Sequence, residues 1–168
     1  EQAVTKVRIT LVGDWSTWGP LVRRGRLERG SGVEDVLVEV LRDADNQDMG
    51  RLKADAEVLT LADVPSVLRL LMAARVDGQA VRVYEAFDGV SLAHLVARRA
   101  GDRAALPTRV ILEIAGAVAR ALSAVQGGSP SESARIVHPG PALSDVLVDV
   151  RGDVKVAGFR VVQADVDP

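Results

Sequence analysis

Cysteine is absent from the 168 residues. No disulfide, thiolate nucleophile or cysteine-held metal is available, and a reducing compartment suits the composition. Histidine occurs only as His94 and His138, which argues against a histidine-based zinc site. Neither sign of charge dominates. Basic residues number 21 and acidic residues 23, for a net charge of -2, which excludes nucleic-acid binding by gross charge and leaves only a local basic patch to consider. Long apolar runs are missing too. Val67 to Val76 comes nearest and is interrupted by Arg69 and Arg75, well short of the roughly 20 apolar residues of a membrane helix. The polar start shows no signal-peptide pattern. Because the first residue is Glu1, an excised domain or a processed product is expected.

What is present is globular. Hydrophobic residues make up 48% and charged residues 26%, which argues against wholesale disorder. The length fits one domain, or two small lobes sharing a core, and buries roughly two-thirds of its unfolded surface. Val7, Ile9 and Leu11 alternate with Arg8, Thr10 and Val12. That period of two predicts a first strand ending at Gly13. Leu21 to Leu27 predicts a second, closing at the turn Arg29-Gly30-Ser31-Gly32, and Val36 to Leu41 a third. Met49, Leu52, Ala56 and Leu59 have helical spacing over Asp48 to Leu61, with Pro65 as a stop. Val67 to Ala74 and Val81 to Ala86 predict two strands joined at Asp77-Gly78.

The second half changes character near Gly89. Ser91 is positioned to cap a helix running to about Arg99 and ended by Gly101. Pro107 and Thr108 open a longer helix with Ile111, Ile114, Ala115, Val118, Leu122 and Val125 on one face. Gly127 to Ser131 is a break, and Ser129 to Ser133 is expected to be a mobile insertion. Val146 to Val150 and Val154 to Val156 predict a hairpin around Arg151-Gly152-Asp153.

Five strands with one helix after the third, then two helices and a hairpin, resembles the layout of a bacterial Hanks-type Ser/Thr protein kinase. The motifs occur in that order. Val36-Leu37-Val38-Glu39 is similar to the V-A-I-K strand. Glu85 to Leu92 resembles the hinge and the helix after it. His138 to Asp149 resembles the catalytic loop, and Asp153 to Arg160 the strand into D-F-G. The resemblance covers Val7 to about Val162. It implies an α+β, protein kinase-like fold. Residues 1–88 would form an antiparallel-sheet N-lobe with one helix, and residues 89–168 a partial, mostly helical C-lobe. The chain ends just past the D-F-G position, so the lower helices of a kinase are not expected in it. The arginine-rich basic set (lysine only at Lys6, Lys53 and Lys155) suggests a GC-rich bacterial genome.

Carried over position by position, the resemblance implies a degenerate site. The strand lysine that grips phosphates falls on Glu39, and its helix glutamate on Asp55. The H-R-D aspartate falls on Gly140. The catalytic-loop asparagine falls on Asp145, and the D-F-G aspartate on Gly158. The vestigial cleft would comprise Gly13, Trp15, Trp18 and Gly19 of the glycine loop, with Glu85 and Phe87 of the hinge. Phosphoryl transfer depends on positioning and on positive charge around the phosphates. Glu39 reverses that charge, and Gly158 offers no magnesium ligand. The expectation is a pseudokinase: a regulatory scaffold that binds a protein partner within a larger bacterial protein. It is expected to be cytoplasmic, including as the cytosolic domain of a membrane protein, and to bind no ATP, cofactor, metal or nucleic acid and enter no membrane.

Other readings stand beside this one. An atypical nucleotide-binding kinase-like protein with residual transfer would use Lys53 or Lys155 as the cation and Asp145 for one metal. A third reading is a purely structural fragment. Trp15 and Trp18 suit either a partner anchor or a filler of the empty cleft. His138 reads as structural. Arg23, Arg24, Arg26 and Arg29 read as a solvated strand face before a phosphate site. Ser144-Asp145, and His94 with Glu85 or Asp88, resemble a hydrolytic set by composition alone.

Overall fold

A computed structural model describes residues 7–15, 22–42, 49–60, 64–126 and 134–163. A five-stranded antiparallel sheet is ordered β1-β2-β3-β5-β4, from β1 (Val7–Trp15), β2 (Val22–Arg29), β3 (Gly32–Val40), β4 (Leu70–Val76) and β5 (Gln79–Glu85). β1 continues past Gly13, where it was expected to end, and a register shift lies between Leu11 and Trp15. Val36, Leu37 and Val38 are all buried in succession, because the sheet has two covered faces. Val36 and Val38 join Leu27, Val81 and Val83 on one side. Leu37 and Leu41 join Tyr84 and helix α1 (Met49–Thr60) on the other.

The helix has no charged residue favouring its dipole at either end. Its stability therefore rests on docking Leu52, Ala56 and Leu59. The Thr60 hydroxyl fastens the last turn to the sheet, 2.6 Å from both the Ala56 and Leu70 carbonyls. Val67 was expected inside the fourth strand, but β4 begins at Leu70. Val67 instead forms a parallel bridge with Val156. Leu68 donates to the Val156 carbonyl and Val156 to that of Ser66, each at 2.8 Å. This ladder ties the upper sheet to the lower half.

The lower half holds β6 (Gly89–Ser91), α2 (Leu92–Gly101), α3 (Thr108–Gln126), β7 (Ala134–Val137), β8 (Val146–Asp149), β9 (Val154–Val156) and β10 (Arg160–Gln163). β6, β7 and β10 were not expected; unlike the β8–β9 hairpin, they are not joined to a sequence neighbour by a tight-turn signal, and each pairs with a distant segment. The Ser91 hydroxyl caps α2 by accepting from the His94 N–H at 3.2 Å. Gly101 does not supply the left-handed turn after this helix; Arg103 does, at φ 52°. The apolar stripe of α3 also divides. Ile114, Ala117, Ala121 and Val125 are buried, whereas Ile111 is 49% exposed. The break at Gly127 and the insertion expected to Ser133 lie outside the described residues.

Asp149 organises the β8–β9 turn, and only 6% of its side chain is exposed. Its carboxylate accepts from the Arg151 N–H at 2.8 Å, the Asp153 N–H at 2.9 Å and Arg151 Nε at 3.0 Å. Burial alone would raise this carboxyl. The hydrogen bonds and the Arg151 charge outweigh it and hold the group below the usual aspartate range. A lowered folded-state value stabilises the fold above the unfolded value, near about pH 4. That contribution disappears as pH falls through the folded value. Asp149→Asn is therefore expected to melt lower at neutral pH and to lose less stability on acidification. Urea unfolding of both proteins from neutral pH into acid checks this; parallel curves would refute it.

Candidate functional site

A cleft of about 540 Å³ lies between the inner face of the upper sheet and the segment after β5. Val12, Leu37, Ala86 and Phe87 give it apolar wall. The alternation of β2 and β3 turns charged side chains toward the same space. Arg24 stands opposite Leu37, and Arg26 opposite Asp35. Arg24 reaches Asp88 at 2.7 Å across the cleft lining, and Arg26 lies 3.7 Å from Asp35. All four side chains are more than half exposed, so each pair adds about 0–1 kcal/mol of stability. Their effect is on shape and polarity: a flat apolar ligand meets two ion pairs.

Deeper on the same face, Glu39 stands across from Arg82 in the β3–β5 ladder. Glu39 Oε2 accepts from the Tyr84 hydroxyl at 3.1 Å and lies 3.6 Å from the Arg82 guanidinium. Tyr84 is 4% exposed. Burial, and after it the Glu39 charge, pushes its hydroxyl well above the usual range. It therefore remains a hydrogen-bond donor at neutral pH. Sequence reasoning found Glu39 and missed both partners. The signal was available: Arg82 and Tyr84 are two apart on a strand, so both share one face.

Glu85 ends β5. It forms an ion pair with Lys155 and accepts from the Arg69 N–H at 3.1 Å. Lys53 is exposed on α1. Asp55, half-buried, lies between Leu52 and Leu59 on the docked face of that helix.

Below the cleft, the His138 side chain is 2% exposed and packs edge-on against Phe159, ring centroids 5.0 Å apart. Its Nε2 donates to the Ala157 carbonyl at 2.7 Å and its Nδ1 accepts from the Gly140 N–H at 3.3 Å. These partners assign the neutral Nε2–H tautomer and a packing role. Asp145 closes its own loop. Its Oδ2 accepts from the Ala142 N–H at 2.9 Å and lies 3.9 Å from His138 Nε2. Gly158 has φ +86°, and a Cβ there would stand 3.1 Å from His138 Nε2 and 3.4 Å from Asp145 Cγ. A side chain at that position is strained and crowded. Gly140 has φ +126°. Among the described residues no three His, Asp or Glu side chains are grouped to hold a metal. The hydrolytic grouping suggested by composition finds its acids engaged elsewhere, Glu85 with Lys155 and Asp88 with Arg24. Gly13 and Trp15 belong to the β1 backbone. Trp18 and Gly19 lie outside the described residues.

The chain was compared with solved structures. The Mycobacterium tuberculosis PknI kinase domain aligns with a TM-score of 0.65 at 22% identity, over 89% of this chain and 57% of that chain. A cysteine-substituted mutant of that domain gives 0.66 at 22%, over 91% and 59%. The fold is protein kinase-like. The sequence matches no family profile and no curated protein. The chain spans less than three-fifths of those kinase domains.

Glu39 is on the inner face of the third strand, beside Arg82 on the fifth. Gly140, Asp145 and Gly158 gather around His138. No helix among the described residues is long and apolar enough to cross a membrane.

Proposed function

We propose that this chain is a catalytically silent kinase-like module that serves a larger bacterial protein in the cytoplasm by binding a protein partner. The observation that carries the reading is the carboxylate of Glu39, held by Tyr84 and Arg82 on the same face of the sheet as Leu37 of the cleft wall. A nucleotide triphosphate would bring its own negative charge against this carboxylate. The Arg24–Asp88 pair adds a polar obstruction, and Gly158 brings no metal ligand to the loop around His138. The alternative is an atypical nucleotide binder with residual transfer, favoured by one feature: Arg82 places a cation on the cleft face of the sheet.

Thermal unfolding with and without about millimolar ATP, with magnesium and then without it, separates the two. A ligand at a hundred times its dissociation constant adds about 2.7 kcal/mol, several degrees for a domain of this size. No shift and no transfer are expected. A clear shift that vanishes in Arg82→Gln supports the alternative. Transfer of phosphate lost on Asp145→Ala refutes the silent module.

A further inference from the structure

Between β5 and β6 the chain passes from the upper sheet to the lower half through Ala86, Phe87 and Asp88, which belong to no helix or strand. Short links of this kind are where the halves of a protein swing against each other. Two contacts outside the link join the same halves. One is the pairing of Val67 with Val156, in which Leu68 donates to the Val156 carbonyl and Val156 to that of Ser66, each at 2.8 Å. The other is the ion pair of Glu85, the last residue of β5, with Lys155 in the middle of β9.

These contacts are linked to each other. The Glu85 N–H donates to the Arg69 carbonyl at 3.0 Å, and the Glu85 carboxylate accepts from the Arg69 N–H at 3.1 Å. Arg69 follows Leu68 in the chain, and Val156 follows Lys155. Leu68, Arg69, Glu85, Lys155 and Val156 therefore close a circuit whose every link is a covalent connection, a hydrogen bond or an ion pair. Two of its links cross between the halves. One crossing alone is a pivot, whereas two hold an angle. The apolar core also crosses, from Leu37 and Tyr84 above to Val125, Leu147 and Phe159 below. Apolar contact is non-directional, however, and lets packed elements slide. The Glu85 and Lys155 side chains are 21% and 22% exposed, so salt screens their attraction less than it does at the open surface.

We infer that Glu85 and Lys155 form a clasp that fixes the angle between the upper sheet and the lower half. Ala86, Phe87 and Asp88, which line the cleft, are thereby kept in one position. Arg69 Nε lies 3.8 Å from the Glu85 carboxylate, so removing Lys155 leaves that charge a partner. The clasp does not depend on what the module binds or on whether nucleotide enters.

The absence of cysteine makes the test direct. Val33→Cys on β3 and Leu112→Cys on α3, at side chains 64% and 66% exposed, carry spin labels on the two halves of the full chain. Pulsed dipolar spectroscopy reads the distribution of distances between them. A single narrow distribution is expected with the clasp intact. Lys155→Met, which removes the charge and keeps most of the chain length, should widen it about twofold or more, or add a second distance. Circular dichroism melts verify folding, and Glu85→Gln takes the place of Lys155→Met if that variant does not fold. A second label pair within the lower half, Leu112→Cys with Val150→Cys at a fully exposed position, should stay narrow throughout. A broad distribution across the halves with the clasp intact, or one that the folded variant leaves unchanged, would overturn the inference. Equal widening of both label pairs would overturn it too, because the ion pair would then hold the lower half together and not set its angle to the sheet.

Discussion

Glu39→Lys, which restores the kinase-like cation, is expected to destabilise the protein by about 2–4 kcal/mol and to confer no ATP binding. The lysine arrives beside Arg82, whose guanidinium lies 3.6 Å from the present carboxylate and is 13% exposed. Two like charges at about 4 Å repel by about 4 kcal/mol at an effective dielectric near 20. The position is 29% exposed, so solvent and side-chain movement remove part of that cost. The Tyr84 hydroxyl simultaneously loses its acceptor within a buried environment. The Arg82→Glu substitution in the same background should recover part of the loss, with a coupling of about 1–3 kcal/mol in the double-mutant cycle. Urea unfolding of the four proteins measures it. An unchanged Glu39→Lys melt together with an ATP-induced shift would show that Glu39 is a passive replacement. The physical point is that a charge reversal within a packed cleft acquires partners, and the reversed residue cannot then be exchanged alone.

Those partners mark the limit of what the sequence disclosed. The five upper strands were legible because Val7 to Leu11 alternates and Asp77-Gly78 is a tight-turn signal, borne out by positive φ at both residues. Helix α3 was legible from its period, but the destination of its stripe was not. A helical period says which residues share a face, and neighbours decide whether Ile111 is covered. β7 and β10 pair across distant sequence, Arg160 with Val137, and no local signal announces such a ladder. The site divides in the same manner. Glu39, Gly140, Asp145 and Gly158 were named from motif order alone. The ion pair of Arg24 with Asp88 joins residues 64 apart. Only folding brings that pair together, and the basic stretch containing Arg24 had read as solvated.

Gly89→Ala is expected to cost about 2–4 kcal/mol, a large effect for one methyl group. The added carbon would stand 2.4 Å from Phe87 Cε1 and 2.8 Å from the Val148 carbonyl oxygen. The ring has rotational freedom, but the carbonyl has little. Val148 pairs with Val90 on one side and Val154 on the other, in the middle of the β6-β8-β9 sheet. Relieving the clash means displacing β6, the first element after the cleft segment, from β8. Gly101→Ala supplies the contrast. No atom lies within 4 Å of the corresponding carbon there, and the site is helical, so a gain of up to about 0.5–1 kcal/mol is expected. Opposite signs for the same chemical change would place the cost in the β6–β8 contact and not in glycine's flexibility. Equal melts for Gly89→Ala and the parent would mean that β6 shifts freely. The short strand would then be an incidental pairing, without a part in fixing the cleft segment to the lower half.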